Sequence, residues 1–564
     1  MYAIWMRMRI CQYNGGITMI MMKKTMAAAL FGMLVLSVGV GAMGGSGTKA
    51  NPYTIASAGD FTQFATDVTA GGCAGKYYKQ TADIDLSGKT LAPLGTESVP
   101  FMGDYDGAGF AITGYAGTTK NDNAGLFGYV RNASLHDMTL EAEVITACVN
   151  YGGIAAIAEG STVIENCNVS LTLNLPTTAS PLYANGGGIV GKVGENAKIV
   201  GCTANATAAF GSTTKYAPFI YYFGGIAGEN LGTIDRCTAA GSLAMYSKNY
   251  LVSVGGIVGE NLGTVSGCTN TANVSAEIGV ESAYAYVGGI AGTNGGILTR
   301  SINNAAISGK GKSPYPCYVG GIVGYNGNGD ISLSKNTAKM TGTNSLGGGI
   351  AGVNFGYDGN ANVTDCLNTG SMVVGGVSGG LVGDNAAHGN IESTATVSSS
   401  LYYGAVSLIG MSEEGSNAVV EVKNAFATNG TDALGTALKK AASYTGFENG
   451  AWIFVPDVNA LPELLVVTDL NAPAMVYAGN DGEDAGFGYY IPENGEGAPT
   501  KFVVAYYKEN KLVGMQVIDA ASAKGYFDGS VKLADNGSDT VKILPFASLN
   551  TAKPAALEAI SFTR

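Results

Sequence analysis

Between residues 152 and 383 the chain repeats one arrangement of apolar and polar positions: Gly-Gly, an aliphatic residue, a small residue and Gly, then a second short apolar run that often ends in Cys. The aliphatic positions are Ile154, Ile189, Ile226, Ile257, Ile290, Ile322, Ile350 and Leu381, and a weaker copy stands at Leu126. Successive copies are 28 to 37 residues apart. Within a copy, β-prone runs such as 286–291 and 232–237 are separated by Gly and Asn, and none sustains a 3.6-residue period. Strands of four to six residues joined by turns are therefore expected. Units that change length but keep one strand should stack as coils, each strand bonding to its copies above and below. The pattern predicts an all-β fold, a right-handed parallel β-helix (solenoid) of about nine coils.

Two further columns support stacking. Asn230, Asn261, Asn294, Asn326, Asn354 and Asn385 stand four residues past the aliphatic position, as expected of an asparagine ladder at a turn. Cys167, Cys202, Cys237, Cys268 and Cys366 end the second run, with Ser301 in their place in one coil. Stacked in-register neighbours have parallel side chains that fit a disulfide poorly, so buried free thiols are expected over cross-links. Zinc is disfavoured, since there is no CxxC pair and only His136 and His388 are present.

The pattern changes at both ends. Ser57 with Asp60 forms a capping box, and Phe61, Phe64, Ala65 and Val68 share a helical face, which predicts a short helix covering the N-terminal end of the solenoid. Leu434, Leu438 and Ala441 suggest a second short helix. The expected domains are a leader and signal peptide at 1–42, an N-terminal cap with first coils at 46–150, the repeats at 151–394, a C-terminal cap at 395–468, a linker at 469–486 and a small β-sandwich at 487–564. In the last, 501–507 and 512–518 flank a hairpin turn at 508–511, and 529–533 and 540–546 add strands.

Composition narrows the function classes. Glycine supplies 85 of 564 residues without a period of three, and 46% of the chain is apolar, enough for a large core. A net charge of −12 disfavours nucleic acid and anionic lipid. Met22-Lys23-Lys24, the apolar run from Ala27 to Val40 and the small residues up to Ala42 read as an export signal, with translation starting at Met19, Met21 or Met22. No later run is long enough to span a bilayer, so a secreted or cell-surface location and a monomer are expected.

The segments 224–234 (GGIAGENLGTI) and 255–265 (GGIVGENLGTV) resemble GLUG motifs of bacterial surface proteins. The opening at 47–55, the strand at 77–86 and FMGDYDGAG at 101–109 resemble the start of the same architecture, and 502–554 resembles immunoglobulin-like accessory modules. The resemblance implies a β-helix and is nearly silent on ligand.

Candidate chemistry is sparse. Asp83, Asp85, Asp104 and Asp106 are the best carboxylates for acid–base work or Ca²⁺, with Ca²⁺ considered near Asp83 and Asp85; the plainer reading is that they bind turn amides. No zinc-protease helix, nucleophile elbow or P-loop is present. Tyr222, Tyr286 and Tyr318 stand four residues before the repeat aliphatic, with Tyr284 close by, and suggest a ligand-binding stripe broken by Ser253. The expected function is an adhesin-like binding or structural protein presenting its surface to glycans or to host or bacterial surface proteins. It is not expected to be an enzyme, and no cofactor is assigned. A polysaccharide-degrading lyase or glycosidase on the same scaffold is the alternative, and a bare spacer the third.

Overall fold

The computed structural model describes residues 43–389 apart from breaks at 118–122, 145–147, 174–181, 210–219, 248–249 and 281–282, and beyond 389 mainly strands with short turns. The leader and the proposed helix around Leu434 lie outside the described residues.

One coil shows the plan. Ile220–Gly224 leads to a Gly-Ile corner, then Ala227–Asn230, Thr233–Asp235 and Thr238–Ser247, after which Leu251–Gly255 begins the next coil. Every one of these strands pairs in parallel with its copy: Tyr222 with Ser253, Ala227 with Val258, Ile234 with Val265, Thr238 with Thr269. The ladders build a 13-stranded sheet through Thr233–Asp235, a ten-stranded sheet through Ala227–Asn230, and a third that joins the remaining two strands of each coil. The protein is a parallel β-helix.

The repeat follows from sterics. A Cβ on Gly224 would lie 2.2 Å from the Ala227 carbonyl oxygen, one on Gly225 2.2 Å from that of Gly256, and one on Gly228 2.5 Å from the Gly186 nitrogen. All three obstacles are backbone, in the same corner or in the coils on either side, so a side chain at these positions requires the backbone to give way; the Ile154 coil alone carries Ala156 in the Gly228 column. Between them Ile226 points inward and is fully buried, as are Ile154, Ile189, Ile257, Ile290, Ile322, Ile350 and Leu381. Each such side chain contributes about 2 kcal/mol by leaving water.

The asparagine ladder is continuous. Asn230 donates to Asn261 at 2.8 Å, Asn261 to Asn294 at 2.7 Å, and Asn294, Asn326 and Asn354 each to the next at 2.8 Å. A second ladder, unforeseen from sequence, runs Asn270, Asn303, Asn336, Asn368 at 2.8–2.9 Å. The left-handed backbone of each coil falls elsewhere than on these asparagines, at the residue just before the Cys column: Asn166, Gly201, Arg236, Gly267, Arg300, Leu333 and Asp365 have φ of 49–63°. The eight described cysteines are buried thiols. The Cys268 amide donates to Ser301 Oγ at 3.3 Å and the Cys366 amide to Ser400 Oγ at 3.0 Å, so Ser and Cys serve the same column.

Four boundaries differ from the sequence expectation. The N-terminal helix is Ala58–Thr69, longer than its apolar face alone indicated, and the Thr62, Thr66 and Thr69 hydroxyls along it bond the carbonyls four residues back. Its Phe64 ring lies 4.6 Å from Tyr78 and 5.3 Å from Tyr105 and closes the core. The ten-stranded sheet holds one strand more than the nine sequence copies, Ile409–Glu414, whose sequence carries Val-Ser in place of the Gly-Gly pair and keeps Leu408 and Gly410. The parallel ladders also run on through Ser393–Ser398, Ala418–Lys423 and Phe426–Thr428, inside the stretch expected as C-terminal cap. Finally, 469–486 is not wholly linker: Ala474–Asn480 pairs antiparallel with Asp484–Ile491. The C-terminal region holds a three-stranded and a five-stranded antiparallel sheet, as a sandwich requires. Its hairpin turns at Glu509 and Asn510, with φ of 48° and 62°.

Candidate functional site

The four aspartates separate into two pairs. Asp83 accepts the Ala111 amide and Asp85 the Ser87 amide, both at 2.8 Å. Hydrogen bonds from Ser87 hold the Asp85 carboxyl below its ordinary range. These two serve the backbone.

Asp104 and Asp106 flank the buried Tyr105, and the next strand places His136 in register with Asp106. The imidazole Nε2 lies 3.4 Å from Asp104, and Nδ1 lies 2.9 Å from Asp137 and 3.8 Å from Asp106. Lys79 reaches Asp106 at 2.6 Å, and the Ala108 amide donates to it at 2.7 Å. The Asp104 hydrogen bond, with that of Asp137, outweighs burial and pushes His136 up to about 9, so it is an imidazolium at neutral pH. A cleft of about 400 Å³ opens here, lined among others by Tyr77, Lys79, Asp104, Asp106, His136 and Glu165. Donor atoms of Asp106, His136 and Asp137 lie within 4.8 Å of one another, the one such triad among the described residues. The proton on His136 and the ammonium on Asp106 both compete with a metal ion there. What the cluster holds firmly is a proton.

The tyrosines lie on a second surface, set by the glycine corner. Because Gly228, Gly259, Gly292 and Gly324 press onto the strand of the preceding coil, two outward columns face each other across the corner. One runs Asn185, Tyr222, Ser253, Tyr286, Tyr318; the other runs Lys192, Glu229, Glu260, Thr293, Tyr325, Val353, Asp384. Tyr286 lies 5.2 Å from Tyr318 and stacks on Tyr325 at 5.0 Å. The row continues from Tyr325 to Phe355, and from Phe355 to Tyr357 and His388, with centroids 5.7–6.2 Å apart. Tyr284 joins a separate group, between Tyr250 at 5.8 Å and Tyr315 at 6.3 Å. Tyr221 points inward and bonds the Tyr151 hydroxyl.

Tyr222 stands apart from the other rings beyond Ser253, whose hydroxyl is buried and donates to the Gly259 carbonyl at 2.8 Å. Its phenol bonds Glu260, and burial with that carboxylate raises its pKa. Glu229, in register with Glu260, pairs with Lys192 at 2.9 Å and accepts from Asn185 at 3.1 Å. Burial first, and the Glu229 charge second, push Glu260 up to about 7. One lysine thus serves two stacked carboxylates.

Of the tyrosines singled out in the sequence, Tyr286 and Tyr318 stand in the row of rings while Tyr222 and Tyr284 stand outside it, and nothing in the sequence joined Tyr325, Phe355, Tyr357 or His388 to them. Those stand on the strand after the corner, three or more residues past the aliphatic position, and only the close turn brings them beside the tyrosines.

No known family model matches the chain. It is similar to a protein of Evansella cellulosilytica described as "Putative Gly-rich membrane protein", with 30% identity over 139 residues, 23% of this chain and 15% of that protein. The match therefore spans less than a sixth of the relative's length. Among the described residues no helix is long and apolar enough to cross a membrane.

Proposed function

We propose that this chain is a GLUG-type binding scaffold, secreted or held at a bacterial cell surface, whose tyrosine groove engages glycans. The observation that carries the reading is the row of rings Tyr318, Tyr286, Tyr325, Phe355 and Tyr357, which crosses three coils on one outward surface. Aromatic faces pack on the C–H faces of pyranoses, and the polar tips of tyrosine bond the hydroxyls at their rim. Several weak sites on one scaffold bind jointly far more tightly than each alone. The leader and the similarity to a protein named as a membrane protein support the location. Replacing Tyr284, Tyr286 and Tyr318 together with Ala should lower retention on a glycan array while circular dichroism stays unchanged. Unaltered retention removes the groove from consideration.

A second reading, polysaccharide cleavage, is favoured by Asp104, Asp106, His136 and Lys79 around one cleft. A reducing-sugar assay separates the two: product release that disappears in Asp104→Asn supports cleavage, and retention without release supports binding.

A further inference from the structure

A concavity of about 740 Å³ lies away from both the aspartate–histidine cleft and the tyrosine groove. It is a trough on the strands that follow the Cys column, and register fixes its lining. Ala244, Ser275, Ser308, Thr341 and Val373 stack as one outward column, five coils deep, and Tyr246, Glu277 and Lys310 stack beside them as a second. The floor is short and hydroxyl-bearing, while the flank is long. Lys310 bonds Glu277 across adjacent coils at 2.6 Å, so the two charges cancel. Tyr246 closes one end over Gly279, where an added Cβ would fall 2.1 Å from the ring and its hydroxyl. That glycine is what lets the ring lie flat against the backbone.

We propose that this trough is a second binding site, for a linear neutral polysaccharide laid along the coil axis with one sugar unit per coil. The coil-to-coil spacing, ~4.8 Å as for any paired strands, is close to the advance of one pyranose along an extended chain. Each central coil offers a hydroxyl at that spacing, from Ser275, Ser308 and Thr341. The neutralised Glu277–Lys310 pair presents a donor and an acceptor to vicinal hydroxyls without favouring a charged polymer. Tyr246 supplies the stacking face for the terminal unit. The volume falls within the ~300–1,000 Å³ usual for ligand sites.

The test is calorimetric titration of the intact chain with β-1,4-linked gluco-, manno- and xylo-oligosaccharides of two to six units. The expected result is that one series binds, with affinity rising to about five units, one per coil at ~4.8 Å, and then levelling. Tyr246→Ala should weaken binding about tenfold, equivalent to ~1.4 kcal/mol, and Ser308→Gln, which fills the floor from an exterior position, should abolish it. Tyr286→Ala with Tyr318→Ala should leave it intact. Absence of binding by all three series overturns the proposal, and so does indifference to Ser308→Gln. Loss in the Tyr286/Tyr318 variant alone assigns the sugar to the groove, which sinks the trough and keeps the function proposed above.

Discussion

At the glycine corner, between Ile220–Gly224 and Ala227–Asn230, the coil turns because side chains are absent; at the end of the second strand, by Asn230 and its copies, it turns because side chains bond one another. The first device is steric and needs no bonding partner: Gly224 faces the Ala227 oxygen of its own corner, Gly225 the Gly256 oxygen of the next coil and Gly228 the Gly186 nitrogen of the preceding one. The second is shared along the axis, since every amide in the ladder is both donor and acceptor and polarises the next. A corner built from sterics should fail abruptly, and one built from a hydrogen-bond chain should fail by degrees.

The sharpest way to break this contrast is Gly228→Ala. Its Cβ would meet the Gly186 nitrogen at 2.5 Å and the Gly191 oxygen at 2.7 Å, and a loss of about 3 kcal/mol or more is expected in urea unfolding. The helical Gly59, whose nearest neighbour would be 3.5 Å away, is the control; Gly59→Ala should be neutral or gain roughly 0.5 kcal/mol.

Asn294→Ala comes next, at about 2–3 kcal/mol, because it leaves the Asn261 donor and the Asn326 acceptor unsatisfied inside the core. Faster hydrogen exchange should spread to both neighbouring coils, whereas Gly228→Ala should disturb its own coil and the preceding one, where Gly186 and Gly191 lie, and leave the following coil unchanged. Equal spreading in the two variants would erase the distinction.

The His136 cluster yields a smaller, pH-dependent effect. Its folded pKa, about 9, lies above the ordinary 6.5, so its contribution is complete below pH 6.5 and is lost as pH rises through 9. The shift is discounted for solvent screening of a partly exposed group, leaving on the order of 1 kcal/mol. Glu260, raised from 4.5 to about 7, acts in the same direction, with stability present at low pH and lost as pH rises through 7. In His136→Asn the loss between pH 7 and 9.5 should disappear, as read by the urea midpoint at each pH.

The smallest effect belongs to Cys268→Ser. Serine already fills that column at Ser301, Ser334 and Ser400, where it accepts the same amide bond, so less than about 1 kcal/mol is expected. The native thiols should resist an aromatic disulfide reagent until the chain is unfolded.

What was legible in the sequence follows the same division. The glycine corner and the first asparagine ladder stand out because both sit at a fixed distance from one aliphatic residue. The second ladder was just as regular, as Asn two residues after Cys268, Ser301, Ser334 and Cys366, but the alternation of Cys with Ser hid its anchor. The left-handed turn was harder still to read. Arg236, Arg300 and Leu333 occupy a conformation that composition assigns to Gly or Asn, at a cost of ~1–2 kcal/mol each, borne by the pairing on either side. The partners of Asp104 and Tyr286 were invisible for a different reason. His136 and Tyr325 are 32 and 39 residues away, and only stacking brings them close.

The parallel register carries one more implication, for how such a chain changes over generations. Because each coil leaves the ladder at the position where the next joins it, a whole coil is an interchangeable part. Duplicating or deleting 28 to 37 residues between two glycine corners preserves every contact type at the seam. Lineages can therefore lengthen or shorten this scaffold by recombination within the gene, adding or subtracting groove and trough positions, without redesigning the core.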